Sequence, residues 1–150
     1  MTAPGDFSSG DVLTAADMNA LPGGIVDVSR TATGGSTSVG TTLVDLGPSI
    51  TFTAQANRYY RALGMIAVFD RSTAGYLVME IDLDGSSVQS AFAYSSGSGY
   101  YEHVTAFYVF STTAASHTIK LRAKTNTGTA TVYNGSIERV ALVLEDMGPV

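Results

Sequence analysis

Two histidines, His103 and His117, are the side chains best able to hold a metal or move a proton near neutral pH, and with no cysteine in the chain a metal site would need carboxylates beside them. His103 follows Glu102, but neighbouring residues of a strand point to opposite faces, so these two do not form a dyad by themselves. Each histidine is isolated in its strand, and both read as structural. Asp82, Asp84 and Gly85 repeat oxygen at alternate positions as a calcium loop does, yet no glutamate closes the loop; a strand ending in a hairpin accounts for them better. Ser95-Ser96-Gly97-Ser98-Gly99 is glycine-rich but runs into Tyr100-Tyr101 rather than a lysine-led helix, so it reads as a flexible loop and not a phosphate cradle. Asn134-Gly135-Ser136 has the form of a glycosylation sequon, but a turn explains it fully and no secretion signal accompanies it. The sequence contains no nucleophile elbow, His-Glu-x-x-His pair or dinucleotide fingerprint. No catalytic residue, cofactor or metal is expected.

The tyrosines are the other candidates. Tyr59, Tyr60, Tyr94, Tyr100, Tyr101 and Tyr108 could stack against sugar rings, because a ring with a hydroxyl suits amphipathic ligands. They suit a protein interface for the same reason. The chain has no tryptophan, the commonest sugar platform, which favours packing between proteins. Arg58 and Arg61 flank this aromatic pair and are candidates to reach Asp70 or Glu80 across a subunit boundary.

The elements that must carry these residues are strands. Leu77, Met79, Ile81 and Leu83 alternate with Val78, Glu80 and Asp82, and Asp84-Gly85 supplies a two-residue hairpin turn before a return strand over 88–94. His117, Ile119, Leu121 and Ala123 alternate with Thr118, Lys120, Arg122 and Lys124, giving one dry and one cationic face. Turns at Asn126-Thr127-Gly128 and Asn134-Gly135 then suggest a three-strand meander through 129–133 to 137–144. Other strands are apolar on both faces. Tyr59, Leu63, Met65 and Phe69 fall on one side of their strand and Tyr60, Ala62, Ile66 and Val68 on the other; Val104, Tyr108 and Phe110 oppose Tyr101, Phe107 and Val109. A strand oily on both sides implies that its outer face is covered, most simply by another subunit. Tyr59, Tyr60, Tyr101, Phe107 and Val109 are the expected interface residues.

Strands near 25–30, 41–46, 49–53, 58–69, 76–83, 87–94, 100–110, 117–125, 129–133 and 136–145 predict an all-β, antiparallel β-sandwich of jelly-roll type over 24–150. The stretch Thr31 to Thr42, rich in Gly, Ser and Thr, reads as a loop or loose arm. Residues 1–23 differ: Thr14 can cap a helix over Ala15 to Leu21, and Pro22 and Gly23 stop it. Two turns of helix are not stable alone, so Val12, Leu13, Met18 and Leu21 must rest on something else, which makes this arm an expected anchor.

Composition narrows the function. At 150 residues the chain suits one domain with a short arm. Charged residues make up 14% against roughly 25% in an ordinary soluble protein. The net charge of −5 disfavours nucleic acid and anionic membranes as partners. Met1-Thr2-Ala3-Pro4-Gly5-Asp6 shows no secretion signal, and the longest apolar run, Ala62 to Phe69, falls far short of the ~20 residues of a membrane span.

The segment Phe7-Ser8-Ser9-Gly10-Asp11-Val12-Leu13-Thr14-Ala15-Ala16-Asp17-Met18-Asn19-Ala20-Leu21 resembles the opening of many structural proteins of tailed bacteriophages, particularly those of actinobacteria. The closing part, from His117-Thr118-Ile119-Lys120-Leu121 through Gly128-Thr129-Ala130 to Leu144-Glu145-Asp146-Met147-Gly148-Pro149, is similar to the end of their β-rich domains. The resemblance implies a non-enzymatic virion component, often a trimer, attached by its leading segment to the major capsid protein or another virion protein. A capsid decoration protein is the favoured form, because one arm and one domain leave no room for a fibre shaft. A tail-fibre or minor tail domain that binds a receptor or a host-surface glycan is the alternative.

Overall fold

A computed structural model describes residues 21, 23–32, 34–136 and 138–150. The described residues form ten strands: β1 (Gly24–Arg30), β2 (Ser36–Val39), β3 (Val44–Thr53), β4 (Arg58–Arg71), β5 (Thr73–Leu83), β6 (Ser86–Gly97), β7 (Glu102–Ser111), β8 (Ser116–Thr125), β9 (Ala130–Tyr133) and β10 (Val140–Pro149). No helix occurs among them. The helix expected at Ala15 to Leu21, and with it Val12, Leu13 and Met18, lies outside the described residues apart from Leu21.

All pairings are antiparallel and make two sheets. In the six-stranded sheet β10 lies between β1 and β4, β7 lies on the other side of β4, and β9 then β2 pair beside the far end of β4. The four-stranded sheet runs β3-β8-β5-β6. Their inward side chains share one core, in which Tyr60, Ile66 and Phe69 of the first sheet meet Leu77, Met79, Ile119 and Leu121 of the second.

The alternation read from β5 and β8 is what places their residues. Leu77, Met79, Ile81, Ile119, Leu121 and Ala123 are buried, and Lys120, Arg122 and Lys124 lie on the opposite face. Asp84 and Gly85 both have positive φ, 53° and 86°, as the type I′ hairpin between β5 and β6 requires.

Four details depart from the sequence pattern. First, β4 carries a bulge between Ile66 and Phe69 in its pairing with β7, so Phe69 turns inward with Tyr60, Ala62 and Ile66 instead of outward with Tyr59, Leu63 and Met65. Second, β3 is one strand with an irregularity between Asp45 and Ser49, and its Gly47 adopts φ 102° there. Third, Ser36–Val39 within the expected loop forms β2, and Ser95 and Gly97 within the other expected loop end β6, where buried Ser95 accepts from the Gly97 N–H. Fourth, β8 and β9 belong to different sheets, so the expected three-strand meander is absent.

Where β8 leaves its sheet, the turn after it is held by the corner at which β4 gives way to β5. Arg71, 1% exposed, donates from Nε to the Thr73 carbonyl at 3.1 Å and from its two terminal nitrogens to the carbonyls of Tyr76 and Thr127. Burial lowers its pKa. A single guanidinium thus binds the β4–β5 corner to the turn after β8 through three carbonyls, that of Tyr76 also accepting from the Asn126 N–H. Nothing in the local sequence distinguishes Arg71 from a solvated strand end.

Candidate functional site

The bulge and the pleat of β4 decide what the six-stranded sheet shows on its outer face. Val28, Val143, Leu63 and Phe107 are successive register partners across β1, β10, β4 and β7. One flanking row is Arg30, Ala141, Met65 and Thr105; the other is Ile25, Glu145, Arg61 and Val109. Phe107 is 62% exposed, and Ile25, Val28, Leu63, Met65 and Val109 are exposed with it. Arg61 binds Glu145 at 2.6 Å within this face, and Arg30 stands at its edge on β1. The result is a continuous apolar surface, with a further groove of about 410 Å³ where Phe107 and Val109 meet Gln89 and Ala91 of β6.

Of the expected interface residues, Phe107 and Val109 lie in this face, and Tyr59 is exposed beyond its end. Tyr101 is exposed as well, but at the opposite end, before β7 begins. Tyr60 is a correction. It is only 3% exposed, its ring lies 5.2 Å from Phe52 and 5.9 Å from Phe110, and its hydroxyl accepts from the Gln55 N–H at 2.8 Å. Inward pleating makes it a core residue of its own chain.

The arginines also find partners within the chain rather than across a boundary. Arg58 donates from Nε to both carboxylate oxygens of Asp146, at 2.8 and 2.9 Å, and from Nη2 to the Leu21 carbonyl at 2.8 Å. Asp146 is distant in sequence but is brought beside β4 by the β10 pairing. Leu21 is thereby held by its backbone while its side chain stays exposed.

The outer face of the four-stranded sheet is built differently. Lys124 lies 2.8 Å from Glu80, Arg122 lies 3.0 Å from Asp82 and 3.3 Å from Asp45, and Lys120 lies 3.5 Å from Asp45. The side chains of β8 cover Glu80 and Asp82 so fully that both are buried although they point outward. Burial alone would raise the pKa of Glu80; hydrogen bonds from Lys124 and Ser87 and the charges of Lys124 and Arg122 outweigh it and hold the pKa below the usual carboxylate value. A cleft of about 480 Å³ opens beside Asp45, Asp82, Asp84, Lys120 and Arg122.

His117 closes the end of this ladder. Its Nδ1 lies 2.6 Å from Asp84 Oδ2, and its Nε2 lies 3.0 Å from the Thr113 carbonyl. The hydrogen bond to Asp84, then that to Thr113, raise the pKa of His117, while His117 and the Thr118 N–H lower that of Asp84. Asp82 meanwhile accepts from the Gly85 N–H at 2.8 Å, so the two aspartates serve the hairpin and its neighbours. His103 is exposed on β7, away from His117. Among the described residues no three His, Asp or Glu side chains converge as a metal site.

The tyrosines do not form one platform. Tyr108 is half-buried and stacked on Phe110. Tyr94 joins Tyr76 and Phe92 in an edge-to-face cluster on β5 and β6, with centroids 5.3 Å apart in both pairs. Tyr101 meets Tyr133, a residue the sequence reading passed over, at 5.8 Å and 58°. Those two rings line a cleft of about 480 Å³ with Gly35, Val68, Gly135 and Glu138. Burial, and then the neighbouring Tyr101 and Asp70, raise the pKa of Tyr133. Only the pairing of β4 with β9 brings Tyr133 near Val68, so no local signal could have revealed this pair.

No family model matches this chain, and no curated protein matches its sequence.

Proposed function

We propose that this protein is a non-enzymatic structural component of a bacteriophage particle, a capsid decoration protein that packs against copies of itself through the outer face of the six-stranded sheet. The observation that carries the reading is the row Val28, Val143, Leu63 and Phe107, which crosses four strands and whose Val28, Leu63 and Phe107 are left exposed by the described residues. Exposed apolar surface of this continuity marks a contact with another body. A second copy suits it because Arg61 and Glu145 neutralise each other there, which leaves Arg30 at the edge as the main charge between two such faces. Burial contributes roughly 25 cal/mol per Å², and a standard interface covers about 800 Å² per partner.

The oligomer we favour is a homotrimer. The β-domain reads as a jelly-roll sandwich: with β2 and β9 set aside, the orders β1-β10-β4-β7 and β3-β8-β5-β6 are those of two interleaved Greek keys. The phage assignment draws on the resemblance of residues 7–21 and of the closing strands. In this reading Val12, Leu13, Met18 and Leu21 dock onto the major capsid protein lattice, and multivalent attachment of the oligomer stabilises the shell.

Two measurements test it. Light scattering and sedimentation of the full chain at several concentrations should give a stable trimer; a monomer persisting to about 100 µM, ten times weaker than a 10 µM complex, would refute self-association. Replacing Val12, Leu13, Met18 and Leu21 together by Asp should abolish co-sedimentation with capsid shells. Undiminished coating would remove the anchor from the proposal.

A further inference from the structure

The cleft between Tyr101 and Tyr133 combines features that the assembly face lacks. It lies beyond the β4 bulge, where the outer face passes from the β10 pairing to the β9 pairing. Its volume of about 480 Å³ falls within the ~300–1,000 Å³ of small-molecule sites. The two rings stand at 58° to one another, so they make a corner with two aromatic walls rather than a stacked pair. Tyr101 is 64% exposed and therefore presents its ring to solvent.

Glycines shape the floor. A Cβ at Gly135 would come within 2.1 Å of Glu138 Oε2, so only glycine there lets the Glu138 carboxylate lie against the backbone. Among the described residues Glu138 forms no ion pair. Asp70, whose Oδ1 accepts from the Gly99 N–H at 3.2 Å, adds a second negative charge facing Tyr133. Among the described residues no lysine or arginine lines the cleft.

These features select a ligand. A negative site without a cation repels phosphates and acidic sugars. A purely apolar occupant would strip water from the carboxylate and return no hydrogen bond. A neutral sugar offers both requirements: a C–H face for the rings and hydroxyl donors for the carboxylate. We propose that the Tyr101–Tyr133 cleft binds one neutral hexose or N-acetylhexosamine ring of a carbohydrate, stacked on the tyrosines and hydrogen-bonded to Glu138. The site is independent of self-assembly through Phe107 and of any place on a virion.

The test applies the full-length protein to an array of oligosaccharides ending in neutral hexoses or N-acetylhexosamines, together with sialylated and sulfated controls, followed by calorimetric titration of each hit. Binding to a neutral subset is expected. Tyr101→Ala and Tyr133→Ala should each weaken it about tenfold or more, and Glu138→Ala should weaken it more than Glu138→Gln does. Tyr76→Ala, in the other aromatic cluster, should leave it unchanged, and melting curves check that each variant is folded. Phe107→Glu, which disrupts the assembly face, should also leave it unchanged, so failure of either idea is seen separately. A blank array at about 100 µM protein, hits confined to acidic glycans, or hits indifferent to Tyr101→Ala would overturn the proposal. So would displacement of the sugar by tetramethylammonium with tighter binding of that ion, which would make the corner a cation cage.

Discussion

The two sheets treat their outward rows differently along β8 and along β4. On the four-stranded sheet Lys120, Arg122 and Lys124 of β8 each find an acid on β3 or β5, and the ladder shields Glu80 and Asp82 from water. On the six-stranded sheet Val28, Leu63, Met65, Phe107 and Val109 remain open, with one ion pair among them. The charged rows of the first surface are complete within one chain, although Tyr76, Phe92 and Tyr94 stand exposed at the β5–β6 side of the same face. In the proposed assembly the second is completed by another copy, because apolar area gains nothing from water and charge pairs gain little from being covered. Strands of equal regularity therefore have different destinies, according to whether their outward residues have partners in register.

Substitutions on the apolar side should have the largest effect. Leu63→Glu combined with Phe107→Glu should weaken self-association by at least about 100-fold, since burying one such side chain is worth ~1.5–3 kcal/mol. The same variant should melt within a few degrees of the parent monomer, because both side chains are exposed in one chain. Sedimentation and thermal unfolding read the two halves. If association persists, the outer row is not the interface.

The charged side gives the reverse signature. Asp82→Ala removes a buried carboxylate that holds both Arg122 and the Gly85 N–H. It should cost about 2 kcal/mol of folding stability while leaving oligomer mass unchanged. Denaturant unfolding measures the first and light scattering the second. A loss of association without a loss of stability would reverse the roles assigned to the faces.

Salt separates the same two surfaces more gently. Raising NaCl from 0.1 to 1 M shortens the screening length from about 10 Å to 3 Å. The exposed pair Lys120–Asp45 should weaken, lowering stability by less than about 1 kcal/mol, whereas association through apolar rows should hold or strengthen. Dissociation at high salt, followed by sedimentation, would show that ion pairs join the subunits.

The smallest effect is a pH window. His117 has a raised folded pKa, so its contribution is full below its unfolded value of about 6.5 and is lost as pH rises through the folded value. Asp84 has a lowered folded pKa, so its contribution is full above about 3.9 and is lost as pH falls through the folded value. The pair therefore stabilises most between roughly pH 4 and 6.5. With Asp84 half exposed, the gain should be under about 1 kcal/mol. Stability curves of the parent and of His117→Gln should converge above neutrality; a constant gap across that range would remove protonation from the account.

Much of this organisation was legible in the residue pattern. The period of two in 76–83 and 117–124 assigned core and outer faces correctly, because pleating alone fixes alternation. The Asp84-Gly85 hairpin was legible because its two φ values exclude most other residues. The apolar excess on β4 and β7 also announced the exposed apolar side chains Leu63, Met65, Phe107 and Val109. Tyr60 was misread as an interface residue, since alternation separates two faces without saying which is inside. Phe69 and Val68 were exchanged because a bulge adds a residue and reverses the pleat, and it leaves no mark in composition.

The sequence by itself determined an all-β chain, its strand and turn chemistry, and the presence of more apolar surface than one core consumes. These follow from nearest-neighbour properties: side-chain direction, backbone freedom and hydrophobicity. Only the tertiary structure decided which partners met: Arg58 with Asp146, Arg71 with the carbonyls of Tyr76 and Thr127, and Tyr101 with Tyr133. Such contacts join segments far apart along the chain, and they depend on strand order and register. Loop closure and sheet pairing set those jointly for the whole molecule, so no single stretch of residues encodes them.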